Sequence, residues 1–253
     1  MNKINQILSE WPAGTLITNE WLEKKGVSRQ LAASYVKSGW FEKLDTGVYK
    51  RPKDTVTWPG VVYTLQKMNE LAVYVGGKTA LELYGSAHYI RRSSRRTIIL
   101  WKEPDVWLPA WFRNREWDVS FEVRSKKLFD DRDKGFTNRE IDGIELQLSS
   151  PERAALEYIY DIPKNESFDE AHYIMEGMAT LRPSVLQSLL ESCRSVKVKR
   201  LFLHMAATYN HSWFNRIDES SIDLGSGKRE IIKGGKLDKK YQIIVPEVKR
   251  EEG

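Results

Sequence analysis

The sequence is poor in the residues that anchor cofactors and cross-links. Among 253 residues there is one cysteine, Cys193, and there are four histidines. A single cysteine excludes an internal disulfide framework and fits a reducing cytoplasm. His88, His172, His204 and His211 do not stand at zinc-ligand spacing with a cysteine or carboxylate partner. No apolar run approaches the roughly 20 residues of a bilayer-spanning helix. The start, Met1-Asn2-Lys3-Ile4-Asn5-Gln6, lacks the apolar stretch of a secretion signal. The expectation is a cytoplasmic chain with no membrane partner, no metal and no cofactor.

Catalytic patterns are equally thin. Gly76-Gly77-Lys78-Thr79 resembles part of a phosphate loop, but Ala72 stands where the loop needs its first glycine. A nucleotidyltransferase needs a Gly-Ser followed by an Asp-x-Asp pair on the next strand, to hold its metal ions. Gly85-Ser86 is present, yet the next strand-like run, Thr97-Ile98-Ile99-Leu100-Trp101, carries no carboxylate. A nuclease of the Asp…Glu-x-Lys kind would use Asp142 and Glu145, but Gln147 replaces the lysine. These failures predict a protein without catalytic residues.

What the chain does have is a formal net charge of +5 and an uneven spread of it. Residues 1–60 hold nine basic against six acidic residues, more than half of the excess in a quarter of the length. Ile4, Ile7, Leu8 and Trp11 lie at helical spacing, and Pro12-Ala13-Gly14 ends that helix. Thr15-Leu16-Ile17 suits a short strand. Thr18 or Asn19 then caps a helix whose first turn holds Glu20, which suits the helix dipole. Gly26 stops it, and Ser28 caps a second helix running from Arg29 to Ser38. Two short helices joined through Gly26-Val27 have the spacing of a helix-turn-helix.

A helical wheel of this second helix separates two faces. Leu31, Ala32, Tyr35, Val36 and Gly39 fall inward; Arg29, Gln30, Ala33, Ser34 and Lys37 fall outward. Arginine can bind guanine through two hydrogen bonds, glutamine can do the same with adenine, and lysine suits a phosphate or guanine. Ala33 and Ser34 are small enough for close approach to base edges. Trp40–Leu44, the Asp45-Thr46-Gly47 turn and Val48–Pro52 then read as a basic hairpin, or wing. Arg29, Gln30 and Ser34 are the candidates for base contacts. Lys37, Lys43, Lys50 and Arg51 are the candidates for phosphate contacts, with Ser28 as both cap and phosphate donor.

Several ordered blocks resemble a known family. They are Trp11-Pro12-Ala13-Gly14-Thr15, Gly26–Ala32, Tyr35–Trp40, Gly47–Arg51, Val75–Gly85 and Leu108-Pro109-Ala110-Trp111-Phe112. Together, over roughly residues 1–210, they resemble the AbiEi antitoxins of type IV toxin–antitoxin systems. The resemblance implies a winged helix that represses its own operon by binding inverted repeats in promoter DNA. It also implies a C-terminal domain that counteracts a cognate nucleotidyltransferase toxin, directly or functionally. Two other readings stay open: a stand-alone winged-helix regulator, and an enzyme that modifies a toxin covalently.

The remainder mixes strands and helices, then turns helical. Val56–Gly60 reads as a short linker and Val61–Asn69 as a helix. Ala72–Val75, Thr97–Trp101, Trp117–Val123 and Ile144–Leu148 read as strands. Lys78–Tyr84, Arg153–Tyr160, Phe168–Leu181, Pro183–Glu191 and Val196–Tyr209 read as helices. The fold class is therefore α+β: an N-terminal winged helix-turn-helix (residues 1–56), then a larger mixed domain with a helical C-terminal part (57–220). Residues 221–253 read as a basic, partly flexible tail with one strand, Tyr241–Val245. The run Arg91-Arg92-Ser93-Ser94-Arg95-Arg96 reads either as a solvated loop or as a second basic patch built on Arg91, Arg92, Arg95 and Arg96.

Overall fold

The computed structural model describes residues 3–85 and 95–246. Ser86, His88, Arg91 and Arg92 lie outside them. The chain is mixed α+β and divides into two compact units. Residues 3–75, 95–126 and 138–148 form the first; residues 76–85, 127–137 and 149–246 form the second.

The first unit opens with α1 (Lys3–Glu10), β1 (Leu16–Thr18), α2 (Asn19–Lys24), α3 (Arg29–Lys37), β2 (Glu42–Asp45) and β3 (Val48–Lys50). The strands form a sheet of order β1-β3-β2, antiparallel throughout. Helices and hairpin in this order are the winged-helix topology. The local causes match the sequence. Thr18 Oγ1 accepts the Trp21 N–H at 3.3 Å, and Ser28 Oγ accepts the Leu31 N–H at 3.2 Å, so both helix starts are capped by side chains. Ile4, Ile7, Trp11, Leu22, Ala32 and Phe41 close the core beneath.

The unit continues through α4 (Trp58–Tyr63), a π-helical turn (Thr64–Met68) and β4 (Val73–Val75). After α5 (Gly77–Leu83), which belongs to the second unit, come β5 (Thr97–Lys102), α6 (Ala110–Arg113), β6 (Ser120–Ser125), β7 (Phe136–Ile141) and β8 (Ile144–Ser149). Their sheet has the order β6-β5-β4-β8-β7. β4 is antiparallel to β5 and parallel to β8, and β5 is parallel to β6. The expected linker at Trp58-Pro59-Gly60 is instead the buried first turn of α4. Proline is preorganised for a first helical turn, which explains the difference. Gly60 is obligatory by close approach: a Cβ there would sit 1.9 Å from the Gly14 carbonyl oxygen. One turn on, the buried Thr64 hydroxyl accepts the Leu16 N–H at 2.9 Å and donates to the Gly60 carbonyl at 2.7 Å.

The second unit packs α5 with α7 (Pro151–Asp161), α8 (Phe168–Glu176), α9 (Pro183–Ser192) and α10 (Val196–Tyr209). The helix expected over Phe168–Leu181 therefore ends five residues early, just before Gly177. Nine residues of α7 are buried, including Glu152, Arg153, Glu157 and Asp161. The expected tail is not loose over its described part. β9 (Arg229–Glu230), β10 (Lys236–Asp238) and β11 (Ile243–Val245) form a sheet of order β10-β11-β9. The buried Arg200 guanidinium donates to the carbonyls of Leu224, Gly225, Gly227 and Gln242, and Ile231, Tyr241, Ile243 and Val245 are buried. Five donors on one guanidinium suit such an irregular loop, and composition alone does not show it.

His172 makes this unit sensitive to acid. Its ring is buried against Phe168, and Nδ1 lies 3.1 Å from the Tyr209 hydroxyl. Burial first, and the nearby His204 second, lower its pKa from 6.5 to about 4, against the pull of Asp169. The fold thus holds the neutral ring. The contribution is complete above pH 6.5 and is lost as pH falls toward 4, because the unfolded chain takes up the proton first. At 1.36 kcal/mol per unit the loss reaches about 3 kcal/mol. Urea unfolding of His172→Gln should show a lower midpoint than wild type at pH 7, but a flatter decline between pH 6.5 and 4. Parallel profiles would contradict this assignment.

Candidate nucleic-acid interface

α3 turns its polar face outward as the wheel predicts. Arg29, Gln30, Ala33, Ser34 and Lys37 are exposed, whereas Ala32 is fully buried and Leu31, Tyr35 and Val36 are half-buried against the core. Ser28 caps the helix at the same end as Arg29. Lys43 is exposed on β2, one strand of the wing. Ser28, Arg29, Gln30, Ser34, Lys37 and Lys43 thus remain on the surface of one small domain.

Arg29 is held short of any ligand by an exposed ion pair, Nε to Glu23 Oε1 at 2.9 Å. Exposed pairs of this kind contribute only about 0.2–1 kcal/mol, so a phosphate or guanine can replace Glu23.

The wing is anchored at its tip. Gly47 has φ +71°, and its carbonyl accepts the Asn19 N–H at 2.8 Å. The Tyr49 hydroxyl donates to Asn19 Oδ1 at 3.0 Å. A Cβ at Gly47 would meet Asn19 Nδ2 at 2.7 Å, so both backbone angle and space require glycine. The pairing of β2 with β3 slips between Lys43 and Asp45, a bulge at Leu44.

The other two predicted wing contacts face different work. Lys50 Nζ bonds Glu42 Oε1 and the Asp54 carbonyl, both at 3.0 Å. Arg51 folds back on α1: Nη2 donates to the carbonyls of Leu8 and Trp11, and the guanidinium lies over the Trp11 ring at 5.5 Å. Those carbonyls are among the orphan acceptors at a helix end. Of the second basic patch, Arg95 and Arg96 are described. Arg96 lies over the Trp58 ring at 5.5 Å, and Arg95 donates to the Trp117 carbonyl. Spacing alone does not single out Trp40, which is 46% exposed between the end of α3 and the wing. Its position directly after the helix-stopping Gly39 is the signal that marks it.

The Gly76-Gly77-Lys78 turn is occupied by internal contacts. At the Gly-Gly turn, the Gly77 N–H donates to Glu157 Oε2 at 2.9 Å. Ser149 Oγ donates to the same oxygen at 2.7 Å, and Arg153 Nε to Glu157 Oε1 at 3.0 Å. Burial pushes the Glu157 carboxyl up from its ordinary value, while Arg153, Ser149 and the Gly77 amide pull the other way. Lys78 of the same motif is buried and paired with Glu166 and Glu170. His172, His204 and His211 bond Tyr209, Asp238 and the Met175 carbonyl. Cys193 is buried, which raises its thiol pKa to about 11.

The capped helix pair, the outward polar face and the anchored hairpin define a winged-helix protein. The chain belongs to the AbiEi antitoxin family. Residues 1–92 match the family described as "Transcriptional regulator, AbiEi antitoxin N-terminal domain". Residues 95–246 match "Transcriptional regulator, AbiEi antitoxin, Type IV TA system". No curated protein matches the chain. Among solved structures it is similar to the crystal structure of the RV2827C protein from Mycobacterium tuberculosis. That likeness has a TM-score of 0.53 at 14% identity, over 95% of this chain and 89% of the other, and it shows the fold alone. Among the described residues no helix is long and apolar enough to cross a membrane.

The two kinds of basic residue should separate by experiment. Arg51→Ala should cost about 1–3 kcal/mol of stability, because loss of its charged donors leaves the part-buried Leu8 and Trp11 carbonyls unmet. Lys37→Ala should leave the thermal unfolding midpoint unchanged. An unchanged midpoint for Arg51→Ala would return that residue to the wing surface.

Proposed function

We propose that this protein represses its own operon by binding inverted-repeat promoter DNA through the winged helix, and neutralises a nucleotidyltransferase toxin encoded alongside. Repression works by binding, and neutralisation acts on the toxin directly or functionally, both without catalysis. The observation that carries the DNA-binding reading is the outward face of α3, where five exposed residues stand over an inner face with Ala32 buried and Leu31, Tyr35 and Val36 packed half-buried against the core. A helix of this width enters a major groove about 12 Å wide. Arg29 and Gln30 read base edges near the helix start, and Ser34 reads one turn further on. Lys37, Lys43 and the Ser28 hydroxyl hold phosphates and set the register. Lys50 and Arg51 support the wing from within. The antitoxin role rests on family membership.

Gel-shift titration of the full chain on its own promoter tests the first part. Arg29→Ala should cost roughly 1–3 kcal/mol and relax sequence preference, whereas Lys37→Ala should weaken all sequences alike and lower the salt slope by about 1. Unchanged operator affinity for Arg29→Ala would remove it from the interface. Co-expression with the neighbouring nucleotidyltransferase tests the second part: growth is restored by the full chain, and failure to restore it would reject neutralisation.

A further inference from the structure

The five-stranded sheet carries a cavity of about 720 Å³ apart from the face of α3. Its floor is the side of β6 that shows Phe121, Val123 and Ser125, with Lys102 of β5 paired across from Ser125. The segment from Pro104 to Trp117 forms its wall. The volume lies within the roughly 300–1,000 Å³ typical of small-molecule sites. The floor is a sheet face rather than a strand edge, so side chains supply the recognition and an added β-strand does not fit this geometry.

Two chemistries meet there. The first is flat rings. Phe112 and Phe121 lie 5.0 Å apart, Trp117 packs edge-on against Trp111 at 5.9 Å, and Trp107 on the wall is 85% exposed. An indole so far in water recovers nothing from the fold. The second is positive charge held in place by neutral oxygens. Lys102 Nζ donates to Ser125 Oγ at 2.9 Å and to the Glu103 carbonyl at 3.2 Å. Arg113 Nε donates to the Leu108 carbonyl at 3.0 Å, and Arg115 Nη1 to the Leu44 carbonyl at 3.4 Å. These contacts position the cations and leave most guanidinium donors for a ligand. Glu116 is the one carboxylate in the lining, against Lys102 and three arginines.

We propose that this cavity binds a nucleotide unit. The base stacks on the exposed indole of Trp107, and the phosphate is met by Arg113 and Arg115. Aromatic faces stack on any base, and guanidinium forks match phosphate oxygens, so one pocket with both is suited to this ligand. A free mononucleotide and one residue of a single strand present the same chemistry.

The experiment uses the full chain and two probes: ATP, read by quenching of tryptophan fluorescence, and a short fluorescein-labelled single-stranded RNA, read by anisotropy. Saturable binding is expected. Binding of ATP identifies the free nucleotide, and binding of RNA alone identifies the strand; either supports the site. Trp107→Ala and Arg113→Glu, both at exposed positions, should each weaken binding at least fivefold. Both should keep the wild-type unfolding midpoint and the wild-type affinity for promoter duplex. Arg29→Ala should leave probe binding unchanged, which separates this site from the winged helix. Absence of binding by both probes at millimolar concentration would overturn the proposal. So would wild-type affinity in both cavity variants, or loss of probe binding in Arg29→Ala.

Discussion

The winged helix depends on how Phe41 is packed. Its ring, 2% exposed, meets Trp11 edge-on at 5.4 Å, Tyr35 at 5.1 Å and Tyr49 at 5.6 Å. Those partners follow α1, lie on α3 and lie on β3, so one side chain joins the first helix, the outward-facing helix and the wing. Such ring pairs contribute roughly 0.5–1.5 kcal/mol each beyond their buried area. The Arg51 guanidinium lies over the Trp11 ring as well. With Tyr35 held inward, α3 cannot rotate, and Arg29, Gln30, Ala33, Ser34 and Lys37 have only the outer side left. The outward polar face is thus a consequence of core packing, which is what keeps it in one geometry.

The second unit follows a different constraint, the cost of burying charge. Glu152, Arg153 and Glu157 on α7 are all removed from water. Each is met: Glu152 by Arg182 and Ser150, Glu157 by Arg153, Ser149 and the Gly77 amide. Arg153 also lies over the rings of Phe129 and Phe136 at 4.4 and 4.3 Å. Breaking one member of such a set leaves a charge stranded, which costs several kcal/mol. A consequence is that the start of α5, the place where a glycine turn receives an external phosphate in other folds, already holds an internal carboxylate.

Local chemistry was legible in the sequence; distant partners were not. The caps at Thr18 and Ser28, the turn at Gly47 and the two faces of α3 are properties of a few neighbouring residues, and all follow from spacing. Spacing presents Arg51 as a surface cation because its partners, the carbonyls of Leu8 and Trp11 at the end of α1, lie some forty residues earlier. The same applies to the region after residue 220. Its polar composition suggests a loose tail, and the residue that organises it, Arg200, stands some twenty residues earlier on α10. Spacing does not reveal the strand at Phe136–Ile141, because three of its six residues are exposed and charged or polar, the mark of a strand at a sheet edge. The cavity on β5 and β6 had no sequence signature, since its rings and cations are gathered by strand pairing.

The central claim is that the outward face of α3 lies against DNA. Ala33 is its most telling position: it is exposed and sits at the middle of the face. Replacing it with glutamate puts a carboxylate where phosphates and base edges must approach, at little cost to the helix. Fluorescence anisotropy on a labelled promoter fragment, with circular dichroism as the check on folding, gives the answer. If this face lies against DNA, a folded Ala33→Glu protein loses promoter affinity by about tenfold or more. A folded variant that binds the promoter as the wild type does would contradict the claim.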